Sequence, residues 1–459
     1  MAPDRPEAHP SGAPARKLPT APAVPATPAA PTARTGPVTT SEPIVSPAAI
    51  MPPYRLPAEH FFAALGWLAL GALGLVAIAP ELAAGAYLTP RAAAVTHCFT
   101  LGWVTTSIFG ALYQVYPVAL GVGAHSTRVG HLTFWTLQAG ILCLVAGAWW
   151  WNPLLLGPGW LLVFLATIAL AVNVVARARG TTRAPIVGRY AAAAVAGLVL
   201  ALAVIGVSIG TFAGWWPSDR MAVLTAHAHL AAVGFATLMA IGVGGKLLPM
   251  FLYARDLPEW PLRWIGPLIG GGTLLFSAAT LLGETMPALR LAGGLAIAGG
   301  LGLYLGTVPL YFRRGVRSPG PGLYLAAAAH AFLLTSLVLG LFLLLTAGPY
   351  PRIAATYGVA GIVGWLTLFV AGVYHRILPF LTWLERFSSR VGAPGVPKVA
   401  DLTKPRLTWA AHTLLAVGAA AVGMAVFVGS STGARAGAAV FALGALTLLG
   451  MYLDIVRRR

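Results

Sequence analysis

Apolar residues along this chain run in long blocks and do not alternate with polar ones. The blocks lie at roughly 60–79, 92–120, 129–150, 153–175, 187–213, 221–252, 262–283, 287–311, 322–346, 354–380, 406–429 and 434–454. Each reaches or approaches the ~20 residues that an α-helix needs to cross a bilayer. A transmembrane barrel would show period-two alternation over shorter segments, so these runs predict helices. The expected fold class is an all-α polytopic membrane protein with twelve transmembrane helices. The segments between blocks are short, which leaves no room for a sizeable extramembrane domain between spans. The longest, about 381–405, carries charge and the sequence GAPGVP and reads as a loop.

One pattern occurs three times, in the second, sixth and tenth blocks. His97 to Pro117, His229 to Pro249 and Val359 to Pro379 align in register, offset by 132 and 130 residues. The register superposes Gly102, Gly234 and Gly364, each followed by an aromatic residue (Trp103, Phe235, Trp365). It also superposes Gly110, Gly242 and Gly372, then Gln114, Lys246 and Arg376, then the prolines. A fixed long period marks repeated architecture. It predicts three pseudo-symmetric units of four helices. Tyr190 and Tyr324, each opening an alanine-rich run in the fifth and ninth blocks, echo the same division. The motif glycines suit close helix contact, and the prolines suit helix ends or bends.

Composition agrees with this reading. Hydrophobic residues make up 58% of the 459 and charged residues 9%. The net charge of +18 is not a nucleic-acid signal, because the basic residues sort by loop. With the N-terminus inside, only Arg91, Arg220, Arg290, Arg352 and Arg435 fall outside. The positive-inside rule then places both termini in the cytoplasm. Residues 1–57 are rich in Pro, Ala and Thr, lack a signal-peptide core, and are expected to be a disordered cytoplasmic tail. Residues 58–455 form the membrane domain and 456–459 a basic cytoplasmic end. Cys98 and Cys143 both lie in apolar spans and make neither a disulfide framework nor a metal motif. Trp149–Trp151 and Trp215–Trp216 read as anchors at the outer boundary.

Ionisable groups inside an apolar span are costly, so the intramembrane histidines are the leads to function. By this topology His97, His227 and His229 lie at one depth in the outer third of the membrane. His330 lies nearer the middle, and His60, His131, His375 and His412 fall toward the cytoplasmic side. Neutral imidazole can be buried without charge and ligates haem iron or copper. The candidate cofactor-binding residues are His97, His227, His229 and His330, with His227 and His229 as candidate metal ligands. On a regular helix two residues differ by about 200° in direction, so the rings of this HxH pair point to nearly opposite faces. The alternative role for each histidine is a hydrogen bond that ties neighbouring helices together. Acidic residues sit at span ends or in loops, so the buried carboxylate usual in proton-coupled carriers is missing from the pattern. Lys246 reads as a snorkelling residue at the end of its span.

Twelve spans in three blocks, with histidines in the second and sixth, resemble the haem-copper oxidase subunit I superfamily. The repeated glycine–aromatic step and the HxH within AHAHLAAVGF look most like its NnrS branch. Leu230 stands where that branch has an acid. The resemblance implies a b-type haem, copper or both in an inner (cytoplasmic) membrane protein, alongside respiratory or redox partner subunits. Its role would lie in nitric-oxide or metal stress or in respiratory assembly. It matches His97 to a low-spin haem ligand and His229 or His227, approximately, to a copper ligand. It does not extend to a complete oxygen-reducing centre. Residues 262–283 hold no histidine, and Tyr357 and Val359 occupy the tenth span where that superfamily carries a histidine pair. A divergent oxidase or nitric-oxide reductase, and a carrier of a small solute or metal, remain alternative readings.

Overall fold

The computed structural model describes residues 53–120, 124–178, 185–212, 217–255 and 257–457. The N-terminal tail through residue 52, Trp215, Trp216 and the last two arginines lie outside the described residues. Helices account for every regular element described, and twelve of them are long and apolar enough to cross a membrane. They are α1 (Arg55–Ala83), α2 (Pro90–Gln114), α3 (Thr127–Trp149), α4 (Pro153–Asn173), α5 (Ile186–Thr211) and α6 (Arg220–Leu252). They continue with α7 (Trp260–Leu281), α8 (Pro287–Arg313), α9 (Pro321–Leu345), α10 (Pro351–Arg390), α11 (Pro405–Val428) and α12 (Ser431–Arg457). Exposed Leu132, Leu154, Val172, Leu345 and Met424 leave broad apolar surface. Surface of that extent fits lipid rather than water, and the chain is a multi-pass membrane protein.

The helix starts follow local chemistry. Proline opens α2, α4, α8, α9, α10 and α11, where its missing N–H is no loss. Side-chain caps add to this. Thr89 accepts from the Ala92 amide at 3.1 Å, Ser126 from Val129 at 3.3 Å, and Asp219 from Met221 at 2.8 Å. Of the two placements expected for the motif prolines, Pro249 and Pro379 do not stop their helices but lie inside them. α6 runs past Pro249 to Leu252, where Tyr253 turns left-handed at φ 53°, and α10 runs past Pro379 to Arg390. The loop expected from about 381 therefore begins later, because the Leu381–Phe387 stretch stays helical against neighbouring apolar surface.

The most extensive pairings are α3 with α4, α7 with α8, and α11 with α12. Small residues let these backbones approach. Gly140 faces the Gly159 carbonyl, Gly272 faces the Gly293 carbonyl, and Gly418 lies on the Phe441 amide. Within the motifs, a methyl on Gly110 would lie 2.8 Å from His60 Cβ on α1. One on Gly242 would lie 2.4 Å from Tyr190 Cβ on α5. On Gly372 it would lie 2.5 Å from the Gly322 carbonyl of α9.

In all three motifs the helix widens into a π turn at one place: Cys98–Thr105, Leu230–Thr237 and Val359–Thr367. The three π segments contact one another, so α2, α6 and α10 meet in the interior. A π turn opens the backbone ladder and often marks a functional site.

The backbone contact at Gly372 leaves nothing to give way. Gly372→Ala should cost about 1–3 kcal/mol through overpacking, read as a lowered unfolding temperature in detergent. Gly306→Ala, where no atom lies within 4 Å, should leave that temperature unchanged.

Candidate functional site

The π turns begin just after His97 in α2 and His229 in α6, and at the matching position, Val359, in α10. Widening the helix frees carbonyls from their usual partners, and in an apolar medium those must be satisfied locally. Threonines do so. Thr105 Oγ donates to the Thr100 carbonyl at 2.8 Å, Thr106 Oγ to Leu101 at 3.0 Å, and Thr367 Oγ to Ile362 at 2.9 Å, each spanning five residues. Thr105, Thr237 and Thr367 occupy one register position, which the sequence reading passed over. Thr237 instead accepts a 3.1 Å hydrogen bond from Trp365 Nε1, joining α6 to α10. Ser107 on α2 and Tyr374 on α10 make a second buried link, at 2.6 Å. Trp103 packs on Tyr374 with ring centres 4.7 Å apart.

Above this braced centre lie His97, His227 and His229. The His97 and His227 ring centres are 6.4 Å apart, with planes inclined by 32°. His97 Nδ1–H donates to the Ala93 carbonyl at 2.7 Å, and His227 Nδ1–H donates to the Ala201 carbonyl of α5 at 2.9 Å. A carbonyl only accepts, so these contacts put the proton on Nδ1 and leave a lone pair on Nε2 of each neutral ring. Neither Nε2 has a hydrogen-bond partner among the described residues. Both rings are half-buried, while adjoining Ala94, Val95 and Ala226 are buried.

His229 is held in the same way, its Nδ1–H donating to the Thr225 carbonyl at 2.8 Å. It turns away from His227. Its ring packs 4.6 Å from Phe276 of α7, and its Nε2 lies 3.4 Å from the Tyr357 hydroxyl of α10. The HxH pair therefore divides between two interfaces, as the 200° step predicts, and does not close on one ion. Among the described residues no three His, Cys, Asp or Glu side chains gather in a metal-binding cluster.

His330 stands apart from the other three. Its Nδ1–H donates to the Ala326 carbonyl at 2.6 Å, and its Nε2 meets the Tyr304 hydroxyl at 2.9 Å. The ring is buried against Trp365, 5.1 Å between centres. Both nitrogens are engaged, leaving no lone pair for a metal. Toward the other end, His60 is buried between Tyr113 and Phe134, and His131 Nδ1 pairs with Glu59 at 2.6 Å. His375 and His412 pack edge to face at 5.7 Å. The Arg91 guanidinium sits over Trp149 at 5.5 Å, and Trp150 is largely exposed.

No protein-family model matches this chain, and no curated protein matches it.

The Thr237–Trp365 contact is buried on both sides. Thr237→Val should leave the indole N–H unpaired and cost about 1–3 kcal/mol. Thr237→Ser should recover most of the loss in the same thermal unfolding measurement.

Proposed function

We propose that this protein binds a haem or a copper ion through His97 and His227, near the outer face of an inner membrane. It would be a divergent, NnrS-like member of the haem-copper oxidase subunit I superfamily, built as three four-helix units with both termini in the cytoplasm. The observation that carries the reading is the neighbouring pair of rings. Each imidazole has its Nδ1–H fixed on a backbone carbonyl and its Nε2 unpartnered, the arrangement that orients metal-ligating histidines. The spacing also suits one shared ion. An imidazole nitrogen lies about 1.1 Å from its ring centre and a metal–nitrogen bond is about 2.0 Å, so two rings that would share one ion would have centres up to about 6.2 Å apart. The observed separation is 6.4 Å.

The protein's contribution at this site is orientation and exclusion of water. The Ala93 and Ala201 carbonyls set the tautomer and the direction of each ring, and the buried π turns below keep the helices in register. A bound haem or copper would supply a redox centre, which fits a stress or assembly role beside respiratory subunits. His330, satisfied on both nitrogens, serves as a link between α8 and α9 in this reading. The lack of histidine on α7 and at Tyr357 and Val359 of α10 disfavours an oxygen-reducing enzyme.

Protein purified in mild detergent should show a haem Soret band or copper at about one per chain. His97→Ala and His227→Ala should each abolish that signal, whereas His330→Ala should keep it. A wild-type protein with neither haem nor copper above background overturns the proposal.

A further inference from the structure

The first glycines of the three motifs differ in what covers them. A methyl on Gly102 would lie 2.5 Å from Trp67 Cγ of α1, and one on Gly364 would lie 2.4 Å from Phe332 Cδ1 of α9. Each thus sits under an aromatic ring from the helix before it. Gly234 of α6 does not. The side-chain atom nearest a methyl there is Thr273 Cγ2 of α7, at 3.2 Å. Its neighbour on α5 is another glycine, Gly197, whose own methyl would lie 2.7 Å from the Gly234 carbonyl. With no ring in that place, a groove of about 350 Å³ runs between α5 and α7, with α6 as its floor. This lies within the range of small-molecule sites, about 300–1,000 Å³. Ala193, Ala196 and Leu200 of α5 and Gly271 and Leu274 of α7 line it and are exposed, so the groove opens sideways toward lipid.

We infer that this groove holds one acyl chain of an anionic phospholipid, with the lipid phosphate at Arg189 and Arg263. The inference rests on the membrane fold and not on the proposed haem or copper site. Charge marks one end of the groove. Arg189 of α5 and Arg263 of α7 both line it, and no acidic residue does among those described. Glu259 pairs with Arg263 at 3.0 Å from outside the lining, and both side chains are exposed. An exposed pair of this kind is weak and yields to a better anion. Guanidinium forks match phosphate oxygens. Trp260 and Trp264, both exposed, flank Arg263, as tryptophans do at headgroup depth. Length agrees with charge. Each wall runs eleven residues from its arginine to its far leucine, Leu200 or Leu274. At 1.5 Å per residue that is about 16 Å, and one leaflet's hydrocarbon is about 15 Å deep. The shaft asks for no polar partner. The Tyr190 hydroxyl donates to the Leu262 carbonyl at 2.7 Å, and Thr273 Oγ donates to the Ile269 carbonyl at 2.7 Å. The remaining lining is apolar or glycine, which suits methylenes better than a ring bearing oxygens.

Native mass spectrometry of the detergent-purified full-length protein, titrated with phosphatidylglycerol or phosphatidylcholine, tests this assignment. Wild type should bind one phosphatidylglycerol about tenfold more tightly than phosphatidylcholine. The double variant Arg189→Gln, Arg263→Gln should bind the two lipids alike. Ala196→Trp sets an indole in the groove from an exposed position, and Gly271→Leu fills space where no atom lies within 4 Å. Each should weaken phosphatidylglycerol binding about tenfold while leaving the unfolding temperature without added lipid unchanged. Two such variants guard against one of them misfolding. Phosphatidylglycerol binding that is unaltered by both filling variants overturns the inference. Equal binding of the two lipids by wild type overturns it as well. So does an isoprenoid quinone that copurifies with wild type and is lost from Ala196→Trp and Gly271→Leu.

Discussion

Backbone hydrogen bonding in an apolar medium is the constraint on which the rest of this structure depends. A carbonyl with no water nearby must find a partner within the protein. The π turns of α2, α6 and α10 break the ordinary ladder at the place where those helices touch. In α2 Thr105 and Thr106, and in α10 Thr367, take up carbonyls five residues back, while Thr237 of α6 accepts from the Trp365 indole. Without such side chains the widened turns would leave buried polar groups exposed to hydrocarbon. With them, three irregular turns can contact one another in the interior.

The same economy governs the histidines. Every one of His97, His229 and His330 spends Nδ1 on the carbonyl four residues earlier in its own helix. His227 spends it on a neighbouring helix instead. What distinguishes them is the other nitrogen. Tyr304 satisfies it in His330, and His330 becomes part of the core with Trp365 and Phe369. In His97 and His227 it has no partner among the described residues and lies beside a second ring. A buried imidazole is thus structural or ligating according to what faces its second nitrogen.

Much of the frame is legible in the chain. Twelve apolar runs name the spans, because bilayer thickness sets their length. The threefold motif names the helices that carry the π turns, although nothing in it announces the turns themselves. A helix widens where packing and local acceptors permit, and the spacing of Gly102, Gly234 and Gly364 is the same in an α-helix and a π turn. The threonines were visible at one register position, yet a threonine in an apolar span is common and becomes informative only beside an unpaired carbonyl. Tyr357 was visible as the residue that replaces a histidine, but its contact with His229 was not, because the two stand 128 residues apart in the chain. The continuation of α10 past Pro379 was hidden, since a proline near the end of a span permits either a stop or a further turn.

By itself the sequence determined that this chain crosses a membrane on apolar helices, that three of them share one motif, and that histidines sit at one depth on two of those. These are properties of composition and spacing, which the bilayer reads one segment at a time. Tertiary structure alone decided which rings meet. The step between His227 and His229 sends them to different neighbours, and only the packing of α2, α5, α7 and α10 around α6 says which: His97 with the Ala201 carbonyl for one, Tyr357 with Phe276 for the other. A ligand pair is a distance between helices far apart in the chain, and that distance follows from how their glycine faces and π turns fit together.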